Sequence, residues 1–210
     1  YPEYISNDLR HNIHQFRAVF DDPLSFNTAL PVPGDDLFGV GDIYKGYTFA
    51  KYHFFLAVFT KIFLLLGISY TVALQISFFI YNGFFAFISL LFSFLILNKL
   101  YDKKYAFIGL IVFAFHSQSL LFFTRFLPDV AVLSFTLISI YGFLIYLTTN
   151  EKNKYYKYLI VGSFGIGFKV SAFIPFYLIL VFIFLLKDYK DSFNLFIISI
   201  LLNFEVFFTK

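Results

Sequence analysis

A few ionisable side chains stand out in this chain because almost everything around them is apolar. Arg125 and Asp129 flank Phe126-Leu127-Pro128 in a short gap between two apolar runs, and Lys169 sits alone inside a third. Charge in such surroundings is costly, so it pairs, reaches out to water, or binds something. Arg125 and Asp129 are four residues apart and can pair at a helix end; equally, a guanidinium fork grips an anion through two hydrogen bonds. Lys51 and His53 open another apolar run. Asp8 follows Ser6-Asn7, where a carboxylate either caps a helix beginning near Leu9 or serves as a general base. His11 and His14 share a helix face at a spacing that a metal tolerates, yet only Asp8 offers itself as a third ligand, so no metal is assigned. The patch His116-Ser117-Gln118-Ser119 is accounted for by hydrogen bonding between helices.

The elements that must position these groups follow from composition. Hydrophobic residues make up 60% of the 210 and charged residues only 14%, well away from soluble domains. Apolar runs reach the roughly 18 to 20 residues that cross a bilayer. The expected fold is therefore all-α, a polytopic transmembrane helical protein with an outer-face loop and juxtamembrane helices. Thirty-five Phe and no Trp read as coding bias rather than function. With no Cys there is neither disulfide nor thiolate metal site. The small formal charge of +3 points to no nucleic-acid partner.

Spans are expected near 73–97, 106–123, 130–149, 158–186 and 192–208. The fourth is long for one crossing, and Gly162, Gly165, Gly167, Lys169 and Pro175 predict a broken helix or two short segments. Those glycines make no dinucleotide fingerprint, because no strand precedes them; close helix packing is their expected use. Tyr52 to Leu66 reads as a short apolar helix with His53, Thr60 and Lys61 on one face, lying along the interface.

The division is residues 1–51 as an outer-face loop with an amphipathic helix, 52–69 as an interfacial juxtamembrane helix, and 70–210 as the transmembrane bundle. Residues 1–51 hold seven of the 13 acids. Lysines decide orientation: the loops around Lys99, Lys103 and Lys104, and around Lys152, Lys154 and Lys157, are basic and thus cytoplasmic. One crossing from each lies the Arg125–Asp129 gap, which is expected outside, on the same face as the acidic first segment. With no Met, a polar start at Tyr1-Pro2-Glu3 and an apolar run just before Lys210, the chain is expected to be the N-terminal portion of a larger multi-span protein.

The order of these features resembles a known family. An outer loop opens with an acid and leads to Tyr52-His53-Phe54-Phe55-Leu56 and Leu66-Gly67-Ile68-Ser69. A basic cytoplasmic loop, Arg125-Phe126-Leu127-Pro128-Asp129 and the Gly-rich Gly165-Ile166-Gly167-Phe168-Lys169 follow. The pattern is similar to the C-type membrane glycosyltransferases, the superfamily of dolichyl-phosphate-mannose–protein mannosyltransferases and aminoarabinose transferases. The likeness runs over essentially the whole chain through loose motifs. It departs at the family's acidic hallmark, often Asp-Glu, which reads Asn7-Asp8 here and leaves one carboxylate.

What the resemblance implies is transfer of a sugar from a polyprenyl-phosphate-type lipid to an acceptor hydroxyl on a protein, lipid or glycan, at the outer face. It makes Asp8 the catalytic base, places Arg125, Lys169, Lys51 and His53 on the donor phosphate, and has Asp129 orient Arg125 or bind sugar hydroxyls. No cofactor is assigned, and a divalent metal is left open without being indicated. The setting would be a multi-pass protein of a bacterial plasma membrane, among membrane lipids. Two rivals stand beside it. A lipid-linked oligosaccharide flippase or secondary transporter predicts ionisable groups at mid-membrane and repeated halves, against which only Lys169 is found and no repeat. A non-catalytic membrane fragment is the other.

Overall fold

A computed structural model describes residues 50–124, 128–149, 152–186 and 188–203. The described residues are helical, with no strand among them: α1 (Ala50–Leu65), α2 (Tyr70–Leu100), α3 (Lys103–Phe115), α4 (Ser117–Thr124), α5 (Asp129–Thr148), α6 (Lys152–Ser163), two 3₁₀ turns (Phe164–Gly167 and Val170–Ala172), α7 (Phe173–Leu185) and α8 (Tyr189–Leu202). Two of these, α2 and α5, are long and apolar enough to cross a membrane.

The sequence dictates where the helices stop. Gly67, at φ 79°, ends α1; its N–H reaches the Leu64 carbonyl at 2.9 Å and the Ile68 N–H reaches Phe63 at 3.1 Å, a left-handed helix stop that glycine accepts without steric cost. Asp102 caps α3, its carboxylate accepting the Tyr105 N–H at 3.0 Å. The expected span 106–123 is two helices instead of one. The ladder breaks at His116, which is exposed, while Ser119 is buried in α4. Pro175 lies in the first turn of α7, where a missing N–H costs nothing.

The packing inverts the pattern of a soluble helix. Along α2 the buried face carries Ala73, Ser77, Tyr81, Asn82, Phe85, Ser89 and Ser93, while Phe79, Phe84 and Phe87 face outward. Small polar residues inside let backbones approach and let hydroxyls bond across helices, and large apolar ones cover the outside. Ser89 and Ser134 share a hydrogen bond of 2.8 Å, and the Ser134 hydroxyl donates to the Phe85 carbonyl at 2.6 Å. These contacts set α5 beside α2 and parallel to it.

Helix α1 runs antiparallel to the first half of α2. Thr60, expected on a polar stripe with His53 and Lys61, is buried, donating to the Leu56 carbonyl at 2.7 Å and to Ser77 Oγ at 3.1 Å. Leu56 and Ala57 are buried with Tyr81, Phe85, Val130 and Ala131. The expected interfacial helix packs along the first half of α2, where its apolar Leu56 and Ala57 are buried.

The long apolar stretch from 158 to 186 turns back on itself. Tyr146 near the end of α5, Tyr155 near the start of α6 and Leu186 after α7 line one cleft, so α6 leaves that end and α7 returns to it. Glycines let α6 lie against α5: a Cβ on Gly162 would meet Ser139 Oγ at 1.9 Å and Cβ at 3.0 Å, and one on Gly165 would meet Phe135 Cβ at 2.7 Å. Between the two legs, Phe168 is buried among the rings of Phe55, Tyr81, Phe85 and Phe135, with centroids 5.2 to 6.4 Å away. Helix α8 then runs back from the cleft end beside α6, with the Ser192 hydroxyl donating to the Leu180 carbonyl at 2.9 Å.

Candidate functional site

The reversal between α6 and α7 gathers charge at one end of the bundle. Phe168 pins the turn into the core, and the next residue, Lys169, comes out beside the first residue of α5. Its ammonium donates to Asp129 Oδ1 at 2.7 Å, in an ion pair whose side chains are 34% and 22% exposed. Asp129 also sits where an α-helix N-terminus favours a negative charge. Both neighbours favour a carboxylate at this position, and the lysine is held in a partly solvated place rather than buried.

Lys51 reaches the same turn from another side. Its ammonium lies over the Phe164 ring, 4.8 Å from the centroid, and donates to the Leu202 carbonyl at 2.9 Å and to Asn203 Oδ1 at 2.7 Å. A cation at a helix C-terminus meets the negative end of its dipole, and an aromatic face adds attraction. Asn203 is the hub of this arrangement. Its Oδ1 also accepts the Gly167 N–H at 3.0 Å, and its Nδ2 donates to the carbonyls of Ser163 at 3.0 Å and Ser199 at 2.8 Å. One buried amide thus fixes the end of α6, the 3₁₀ turn and the end of α8, and presents an oxygen to Lys51.

The structure accordingly brings Lys51, Lys169 and Asp129 to one end of the helices. Asp8, Arg125 and the His53 side chain fall outside the described residues, as do His11 and His14. Among the described residues no group of three or more His, Cys, Asp or Glu is placed to hold a metal ion. Asp129 pairs with Lys169, a partner 40 residues away that spacing alone does not suggest.

A second cluster, not anticipated from the sequence, occupies the opposite end. Asp191 is buried at the start of α8 and accepts from the Tyr155 hydroxyl through Oδ2 and from the Lys152 ammonium at 2.9 Å through Oδ1. Its only sequence signal is membership of Lys187-Asp188-Tyr189-Lys190-Asp191, which looks like a solvated loop. The two clusters lie at the two ends of α5, whose 20 residues span about 30 Å. Asn203 is equally hidden, as one amide closing an apolar run.

An arrangement of two ammonium groups around one turn, with one of them shared with a carboxylate, suits recognition of an anion. No protein family, curated protein or solved structure matches the chain.

Proposed function

We propose that the chain is a multi-pass membrane glycosyltransferase that takes its sugar from a polyprenyl-phosphate-type lipid and acts at the face where α5 begins. The observation that carries this reading is the convergence of Lys51, Lys169 and Asp129 on the α6–α7 turn. Lys51, at the junction between the acidic first segment and α1, lies at the same end as Lys169. A base and a set of phosphate ligands on one face are what transfer from a phosphate-linked sugar needs.

The multi-pass reading has its own support. The α6 leg with its 3₁₀ turn, and the return leg through α7, are each about 26 Å. Exposed phenylalanines over buried serines supply the apolar outside that lipid requires. The lysine-rich stretches at 99–104 and 152–157 favour a cytoplasmic side for their end, which supports an outer-face setting for the α5 start; a bacterial plasma membrane is the proposed location.

In the reaction, the acceptor O–H loses its proton to Asp8 as its oxygen attacks the anomeric carbon. A new C–O bond forms, the bond from that carbon to the phosphate oxygen breaks, and polyprenyl phosphate leaves with the bonding pair. Arg125, Lys169, Lys51 and His53 would stabilise the growing phosphate charge, and Asp129 would set the position of Lys169. The test is turnover in proteoliposomes holding polyprenyl-phosphate sugars and candidate acceptors, followed by release of polyprenyl phosphate. Asp8→Asn is expected to lower turnover by about 10²-fold or more while leaving donor binding nearly unchanged. Normal turnover in that variant returns Asp8 to the role of a helix cap.

A further inference from the structure

We infer that the cleft at the opposite end of α5 binds the headgroup of a zwitterionic, amine-bearing phospholipid of the phosphatidylethanolamine kind. This inference goes beyond sugar transfer and rests only on the membrane reading. The cleft, about 480 Å³ in volume, lies between the end of α5, the start of α6 and the α7–α8 turn, within the usual size range for small-ligand sites.

Its walls carry one charge of each sign. Lys152 is 62% exposed and uses one of its three N–H donors on Asp191. Asp188 lines the cleft as well, and its carboxylate enters no hydrogen bond or ion pair among the described residues. Between them stand Tyr146 and Tyr155, packed edge to face with centroids 5.0 Å apart. Buried Asp191 holds both the Tyr155 hydroxyl and the Lys152 ammonium, so the wall is preset before any ligand arrives.

A primary ammonium placed beside Asp188 and against the half-buried Tyr146 ring gains a charge-assisted hydrogen bond and a cation–π contact. The phosphate next to it then meets Lys152, at the positive end of the α6 dipole. A net-anionic headgroup fits less well, because it offers no cation to Asp188 and sets a second negative charge near it. The rim explains why the ligand is a lipid and not a free metabolite. Leu147 and Leu186 line the cleft and are themselves exposed, and the outward residues Val181, Phe182 and Leu185 of α7 continue an apolar surface on which acyl chains can lie.

The experiment is native mass spectrometry of the full chain in detergent, offered equimolar phosphatidylethanolamine and phosphatidylglycerol with matched acyl chains. Retention of the ethanolamine lipid is expected to exceed that of the glycerol lipid by about 10-fold, the scale of one charge-assisted contact. Asp188→Asn, at a half-buried turn position, should bring the ratio to about one, and Lys152→Gln should lower retention of both lipids. Thermal unfolding of each variant identifies loss of fold. Equal retention of the two lipids by the unaltered chain, or an unchanged ratio in folded Asp188→Asn, overturns the proposal. Displacement of the lipid by soluble phosphoethanolamine at lipid-like concentrations overturns the lipid assignment and makes the cleft a metabolite site. None of these outcomes depends on transferase activity.

Discussion

If Lys169 serves the donor phosphate, Asp129 competes with that phosphate, and removing Asp129 should improve donor binding. The ion pair is short, at 2.7 Å, yet its lysine is about one third exposed, so solvent screens it. Between the roughly 0 to 1 kcal/mol of exposed pairs and the roughly 1.5 to 3 kcal/mol of well-made charged hydrogen bonds, about 1 kcal/mol is a fair value. Asp129→Asn frees Lys169 from that contact and should raise affinity for polyprenyl phosphate by up to about 5-fold. Lys169→Gln removes the ligand contact itself and should lower affinity on the order of 10- to 150-fold. The double variant should bind like Lys169→Gln alone, because without the ammonium Asp129 has nothing to withhold. Retention of radiolabelled polyprenyl phosphate by the purified chain gives the affinities, and thermal unfolding run alongside gives stability. Asp129→Asn also forfeits a favourable charge at the α5 N-terminus, about 0.3 to 1 kcal/mol, so a small loss of stability is expected whatever binds. Weaker donor binding in folded Asp129→Asn would refute the competition and leave Asp129 as the group that positions Lys169 for the phosphate. Unchanged affinity in all three variants would make the pair purely structural.

Other outcomes test the frame around that site. Cysteines introduced by Lys103→Cys and Lys154→Cys should label only from the cytoplasm, and those from Asp36→Cys and Arg125→Cys only from outside; the chain has no native Cys to interfere. Labelling of position 36 from the cytoplasm alone would separate the acidic segment from the Lys169 end and remove the proposed site. Arg125→Ala should weaken polyprenyl-phosphate binding by about 10-fold or more, with Arg125→Lys recovering only part, since an ammonium lacks the planar fork. Gly162→Ala should destabilise by about 1 to 3 kcal/mol, lowering Tm by roughly 2 to 12 °C, because the added methyl meets Ser139. Ser139→Gly in the same chain should restore much of the loss, and failure to do so would mean that the α5–α6 contact is not as close as described.

The helices are legible in the sequence because lipid-scale apolar runs, Gly and Pro are strong local signals. The break near Gly165 is legible for the same reason: three glycines, a lysine and a proline within 14 residues cannot continue one apolar helix. Its direction is not. Nothing local says that α7 returns toward Tyr146; that follows from Phe168 lodging between α1, α2 and α5, a contact spanning more than a hundred residues of chain. The break at His116 escapes a sequence reading because a single polar turn within apolar sequence suits equally well a helix that continues. Thr60 is misplaced on a polar stripe because a hydroxyl that bonds the carbonyl four residues back costs little inside a membrane-type packing.

The same reasoning explains which site residues can be read. Lys169 and Asp129 announce themselves by isolation, but their pairing is tertiary, and the nearer candidate Arg125 offers a simpler partner. Asn203 and Asp191 are overlooked for opposite reasons. Asn203 is uncharged and terminates an apolar run, so hydropathy treats it as part of the span. Asp191 lies among lysines and another aspartate, so its charge looks solvated, although the α7–α8 turn folds it under Tyr155 and Lys152. Each closes an end of the α6–α7–α8 unit, but through different partners. Asn203 pairs with backbone groups that helix ends leave open, and Asp191 with the side chains of Tyr155 and Lys152. Two short legs with a reversal between them are stable in an apolar setting only if such ends are closed. Asn203 closes the end that carries Lys51 and Lys169. Lys51, one cation of the proposed site, is therefore held by the same amide that closes the turn.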